Sequence, residues 1–211
     1  MSLFAEHHSG ERLVSPSDFP LPDQSEPEGS FNTEGHKTLV LGGGCFWCVE
    51  GVFRSLQGVL SVVSGYSGDT EATASYAEVC SGRTQHAEVV CIEYDPAVIS
   101  RGRLLQVFFS VAHNPTHLNH QGADHGSQYR SVVFYSNQDE KQQIESYIHQ
   151  LNRLPAWSVP VVTSVEPLRR FYAAEPEHQD YAHRNPSQPY IELVARPKQQ
   201  QLKAFFTSWL K

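Results

Sequence analysis

Nowhere in the 211 residues does an apolar run approach the ~20 positions that cross a bilayer, so no membrane-spanning helix is expected. Clusters of Lys and Arg are missing too. The 16 basic residues are outnumbered by 23 acidic ones, a formal net charge of -7, which leaves no electrostatic handle for nucleic acid or an anionic membrane surface. The opening stretch, MSLFAEHHSGERLVSPSD, has neither a basic n-region nor the apolar core of a secretory signal, and a cytoplasmic location is expected. Cysteine is scarce as well. Four are too few for a disulfide scaffold, and in a reducing compartment a close pair is more often redox-active or metal-binding. Function is therefore to be sought in the cysteine spacing.

Residues 1–36 carry four Pro, several Ser and Glu and little apolar periodicity, and read as an N-terminal arm or linker. From Lys37 to residue 211 the pattern is that of one catalytic domain. Thr38 to Leu41 is β-leaning and ends in Gly42, Gly43 and Gly44; the apolar positions 46, 49, 52, 53 and 56 then predict a helix. A strand follows at 59–63, a Gly-rich turn at 65–68 and a strand from His86 to Tyr94. Ser100 is placed to cap a helix whose apolar face is Leu104, Leu105, Phe108, Phe109 and Ala112. A polar loop covers 113–127 and a strand Tyr129–Tyr135; Ser136 with Asp139 opens a helix ending before Pro155. Strands at 161–165 and near 190–194 and a helix at about 199–210 complete the chain. Interleaved helices and strands with several hairpin-length links predict an α/β fold, a two-layer sandwich with a mixed sheet in a single domain.

The segment GGGCFWCVE sets Cys45 at the start of a helix, where free backbone N–H groups and the macrodipole favour a thiolate. A depressed pKa and a nucleophilic role are expected for it. Cys48, three residues on and one turn away, is placed to close a disulfide with it. Two small buried hydrophobes at a helix start remain the alternative. A zinc site would need a second soft pair, and Cys80 and Cys91, with ten residues between them and Cys91 inside a strand, do not supply one. The 11 His have no ligand spacing, and no metal is expected. Phe46 and Trp47 beside a thiolate suit a pocket for a small apolar group such as a methyl.

The motifs GCFWCVE at 44–50, GYSG at 65–68, SYAEVCSG at 75–82, HAEVV at 86–90, His-Asn-Pro-Thr at 113–116 and GADHGSQYRS at 122–131 stand in one register. Together, over about residues 38–192, they resemble the A-type peptide methionine sulfoxide reductase family. The resemblance implies an α/β sandwich and no cofactor. It makes Cys45 the nucleophile and Phe46 and Trp47 the walls around the substrate methyl. Glu88 becomes the acid, and Tyr76, Asp124 and Tyr129 the polar groups around the sulfoxide oxygen. Glu88 leads an otherwise apolar strand, which fits a raised pKa. The implied substrates are the S epimer of methionine sulfoxide in oxidised proteins and as the free amino acid. Cys45 would be left as a sulfenic acid, to be condensed by Cys48 and reduced by thioredoxin.

Three stretches depart from the family pattern: Asn114 stands where Asp is common, Asp69 where a second Gly is usual, and Pro176-Glu177 where an acidic-Tyr pair is common. No Cys follows Cys91, so recycling through C-terminal-tail cysteines, frequent among relatives, is not expected. Cys48 is then the expected resolving thiol, because strand alternation points Cys91 toward the core and Cys80 lies on a loop of unknown distance. The rival readings are a cysteine peroxidase, which needs no methyl pocket, and a Cys-x-x-Cys redox-switched interaction module, which needs no acid near Cys45.

Overall fold

A computed structural model describes residues 12–23 and 35–211. Its centre is a six-stranded sheet built from β1 (Lys37–Gly43), β2 (Val59–Ser67), β3 (Ala87–Tyr94), β6 (Ser131–Tyr135), β7 (Ser164–Pro167) and β8 (Tyr172–Ala173). The spatial order is β7-β6-β1-β3-β2-β8, antiparallel except for the parallel β6–β7 pair, so the sheet is mixed. A small hairpin, β4 (His120–Gln121) with β5 (Asp124–His125), stands apart from it.

The strands' period of two sorts side chains between two faces. Leu39, Leu41, Val90, Ile92 and Val133 face the main core, which is closed by α1 (Phe46–Phe53), α3 (Arg101–Val107), α4 (Gln138–Arg153) and α6 (Arg196–Phe205). Val40, Val89, Val132 and Phe134 form a smaller cluster on the other face. Cys91 packs there, half-buried, contrary to the expectation that it points into the main core. It alternates with Val90 and Ile92, which hold the helix side.

Several expected boundaries move. The strand expected at 59–63 runs on to Ser67, through the supposed turn, because Gly65 and Tyr66 pair with β8. Tyr129 closes a 3-10 turn, Ser127–Tyr129, instead of opening β6. Asn137, not Ser136, caps α4, its side chain accepting from the Glu140 amide. The strand expected near 190–194 is a helical π turn, Ile191–Ala195, running into α6. Ile191 and Ala195, four residues apart, are the two that are buried, so helical packing overrides the β-leaning composition of this stretch. A second π turn, Phe108–Ala112, extends α3 and delivers His113 beneath the end of β1.

Residues 12–23 lie against the fold. Phe19 is buried with its ring edge-on to Trp157 at 6.0 Å, and the Tyr147 hydroxyl donates to the Pro20 carbonyl at 2.7 Å. The remainder of the expected arm, residues 1–11 and 24–34, lies outside the described residues.

Candidate active site

The site begins where β1 turns into α1. A side chain on Gly42 would put its Cβ 2.5 Å from the Glu88 carbonyl oxygen, and Gly44 has φ +89 with Gln121 Cγ 2.6 Å from an added Cβ. Glycine is required at both positions, at the first for close strand approach and at the second for the left-handed turn. The turn leaves Cys45 as the N-cap of α1 and Cys48 on its first turn, both thiols and both buried. His113 supports the turn from below. Its Nδ1 bonds the Phe108 carbonyl, which only accepts, so the ring carries its proton there and takes the Ser131 hydroxyl on Nε2 at 2.6 Å. Burial holds this imidazole down to about 3, hence neutral.

Glu88, on the helix-facing side of β3, is 2 % exposed and accepts the Phe46 amide at 3.0 Å through Oε2. That amide is the first N–H of α1, so the carboxyl docks where the helix favours negative charge. Desolvation outweighs this bond, and with Asp124 and Cys48 adding like charge the Glu88 pKa rises to about 8. Glu88 is therefore a neutral acid at pH 7, held beside Cys45.

The expected depression of the Cys45 pKa is not what the structure gives. Burial raises the Cys45 thiol well above its ordinary value, and its hydrogen bond to Cys48 adds to the rise. Cys48, receiving that bond and lying near Lys198, falls to about 7. The pair shares a proton, and its first ionisation places charge on the inner sulfur. The helix start fails to lower Cys45 because burial, the largest cause, outweighs it.

The aromatic wall is wider than the sequence suggested. Phe46 is buried and Trp47 half-buried, their ring centroids 6.1 Å apart. Tyr76, at the start of α2 (Tyr76–Cys80), stacks 6.4 Å from Phe46 and 6.5 Å from Trp47. His178 stacks on Tyr76 at 4.2 Å, and Tyr181, which opens α5 (Tyr181–Arg184), lies 3.9 Å from Trp47 at an interplanar angle of 12°. Glu175 ties this side together, accepting the Tyr76 amide and the Tyr66 hydroxyl, each at 2.9 Å. Glu50, buried within α1, accepts the Asp180 amide at 2.9 Å and bolts the same segment to the helix.

Tyr129 and Asp124 lie around Glu88 as well. Burial, then the charge of Glu88, raises the Tyr129 hydroxyl far above its usual value, so it is a donor and not an anion. Asp124, on β5, accepts the hydroxyl of Tyr190. Cys80, expected on a loop, is the last residue of α2; burial raises its thiol, while hydrogen bonds to Tyr76 and Tyr129 oppose the rise. All eight residues singled out in the sequence thus converge on one region. Glu175, His178, Tyr181 and Tyr190 were missed. They come from stretches read as irregular or as a strand, and the density of aromatic and His residues at 171–190 was the available signal.

Among the described residues no group of three or more His, Cys, Asp or Glu converges as a metal-ligand set, and no helix is long and apolar enough to cross a membrane. What the arrangement can do is hold a small apolar group on aromatic faces and give a proton to an oxygen beside a nucleophilic sulfur.

A sequence model of the peptide methionine sulfoxide reductase family matches residues 37–209. The chain is 49% identical over 172 residues to peptide methionine sulfoxide reductase MsrA 2 of Mesorhizobium japonicum, spanning 82% of this chain and 88% of that protein. It is 43% identical over 204 residues to the MsrA 2 protein of Synechocystis, spanning 96% of this chain and 95% of that one. Among solved structures, Mxr1 from Saccharomyces cerevisiae in reduced form superposes with a TM-score of 0.69 at 31% identity, covering 79% of this chain and 92% of that chain. Methionine sulfoxide reductase A of Corynebacterium diphtheriae follows at 0.61 and 31%, covering 83% and 86%. With the site assembled as above and nearly the whole span from β1 to the C-terminus matched, the chain belongs to the peptide methionine sulfoxide reductase family.

Proposed function

We propose that the protein reduces methionine S-sulfoxide, protein-bound and free, to methionine, with residues 37–211 as the catalytic domain. The observation that carries the reading is the buried Glu88, neutral at pH 7 and bonded to the amide next to Cys45. A sulfoxide sulfur is a poor electrophile until its oxygen is protonated or strongly hydrogen-bonded. Glu88 supplies the proton, Tyr76, Tyr129 and Asp124 surround the oxygen, and Phe46 and Trp47 hold the methyl. The Cys45 sulfur attacks the sulfoxide sulfur and passes its own proton to Cys48, the more acidic of the two thiols. Methionine leaves, and the oxygen stays on Cys45 as a sulfenic acid. Cys48 condenses with it to a Cys45–Cys48 disulfide with loss of water, and thioredoxin returns the pair to thiols by exchange.

A reducing compartment, the cytoplasm, suits a chain whose four cysteines are all thiols, and the role there is repair of proteins after oxidative stress. Turnover of dabsyl-methionine sulfoxide is compared with turnover of hydrogen peroxide, dithiothreitol being the reductant. Release of methionine with the S epimer and slow consumption of peroxide is the expected result. Rapid peroxide turnover without sulfoxide reduction points to a peroxidase, and neither activity to a redox-switched binding module.

A further inference from the structure

The Cys45 and Cys48 sulfurs leave one requirement unmet. After the first half-reaction Cys48 holds a proton, and a thiol is a poor nucleophile until it loses it. The groups that face Cys48 are Cys45 at the helix N-cap, Glu88 from β3, Lys198 from α6, Asp124 from β5 and Tyr190. Glu88 is a carboxylate at this stage, but it is engaged with the Phe46 amide. Tyr190 is the group placed directly on the thiol: Cys48 Sγ donates to its hydroxyl at 3.8 Å, and that hydroxyl donates to Asp124 Oδ2. The two bonds form a directed chain from a buried sulfur to a carboxylate.

The ring is held for this task. It meets Trp47 edge-on at 6.1 Å and 80°, and the next amide, that of Ile191, is capped by the Gln188 side chain at 2.9 Å. We propose that the Tyr190 hydroxyl is a catalytic proton relay for disulfide formation, carrying the Cys48 proton to Asp124. The inference rests on the reading that Cys45 becomes a sulfenic acid and Cys48 resolves it.

The step balances without an outside oxidant. The Cys48 proton passes to the Tyr190 oxygen as the Tyr190 proton passes to Asp124. The Cys48 sulfur then forms the S–S bond to Cys45, the Cys45 S–O bond breaks, and the departing hydroxide takes the proton from Asp124 and leaves as water. Cys48 is oxidised and the sulfenic sulfur is reduced. Burial and the nearby thiol and carboxylate charges push the Tyr190 hydroxyl far above its usual value, so it hands one proton on as it takes another and never rests as a phenolate.

The test is Tyr190→Phe, which keeps the ring and removes the relay oxygen. Sulfenic acid is generated in two arms, with one equivalent of methionine sulfoxide and with hydrogen peroxide, and its lifetime is followed by dimedone trapping and mass spectrometry across pH 6–10. At pH 6.5 the variant's sulfenic acid is expected to persist about 10-fold longer than wild type, less than the ~10²–10⁴-fold usual for general acid–base catalysis because part of Cys48 ionises without the relay. The two should converge by pH 9.5, well above the pH at which Cys48 ionises to solvent. Equal lifetimes at pH 6.5, or a ratio that stays constant with pH as a packing defect would produce, overturn the relay. An effect confined to the peroxide arm, with no methionine released in the other, keeps the relay and refutes the sulfoxide reading. Absence of sulfenic acid in both arms overturns both. Should the variant not fold, the solvent deuterium isotope effect on wild-type disulfide formation decides: about 2 or more at pH 6.5, falling toward 1 at pH 9.5, supports the relay, and a flat value near 1 rejects it.

Discussion

Replacing Glu88 by Gln tests the acid by activity and by stability, and the two effects run in opposite directions. Moving a carboxyl from its ordinary 4.5 to about 8 favours the neutral form in the folded protein by roughly 3–5 kcal/mol. At pH 7 about nine-tenths of Glu88 is then protonated, against less than about 1 % of an unperturbed glutamate. Gln preserves the size and an acceptor for the Phe46 amide but has no proton to give, so single-turnover methionine release should fall about 10²–10⁴-fold. In wild type the rate should rise as the thiol pair ionises near 7 and fall as Glu88 ionises near 8, and the falling limb should vanish in the variant. For stability the sign follows from linkage. The folded pKa is raised, so the folded state keeps a proton that the unfolded state releases; the stabilisation is complete below about 4.5 and is lost as pH rises through about 8. Relative to Glu88→Gln, which shares every other titrating group including the buried His113, wild type should therefore lose stability between pH 5 and 9, and the variant should be the more stable of the two at pH 9. Stopped-flow single turnovers and urea unfolding at pH 5, 7 and 9 supply both measurements. A variant within threefold of wild-type rate at pH 7, or a wild-type-minus-variant stability difference that does not decline from pH 5 to 9, would refute the assignment.

Cys48→Ser should still release one methionine per enzyme, more slowly at neutral pH because Cys45 has lost its proton acceptor, and thioredoxin-dependent cycling should collapse; a dominant Cys45–Cys80 linkage in peptide maps of oxidised wild type would instead make Cys80 the resolver. Gly44→Ala places a side chain at φ +89 against Gln121 and should cost roughly 2–4 kcal/mol, read as a Tm drop of several degrees with loss of activity. Trp47→Ala removes the ring stacked 3.9 Å from Tyr181 and should raise KM for the sulfoxide at least tenfold; an unchanged KM with only a lower Tm would reduce Trp47 to packing.

The sequence by itself brought together the candidate site positions that are local. The Cys45–Cys48 spacing, the glycine triplet and the aromatic pair between the cysteines are contiguous, so helix geometry alone brings them together. The sheet and its main helices were also legible, because period-two and 3.6-residue patterns are properties of consecutive residues. Elsewhere the pattern misled: at 190–194 a β-leaning run reads as a strand, and only burial of Ile191 and Ala195 beside α1 makes it helical. Cys91 faces the lesser cluster because the register of β1 against β3 decides which parity meets the helices. Ionisation was the least legible. The thiolate tendency of a helix N-cap is a local property, but its failure at Cys45 depends on burial, on Cys48 and on Glu88, the last 43 residues away. The chain from Cys48 through Tyr190 to Asp124 joins three distant segments, and their meeting exists only once β4–β5, α1 and the turn before α6 have packed. Period and spacing are carried by neighbouring residues, whereas desolvation and proton sharing are set by whatever the fold brings near.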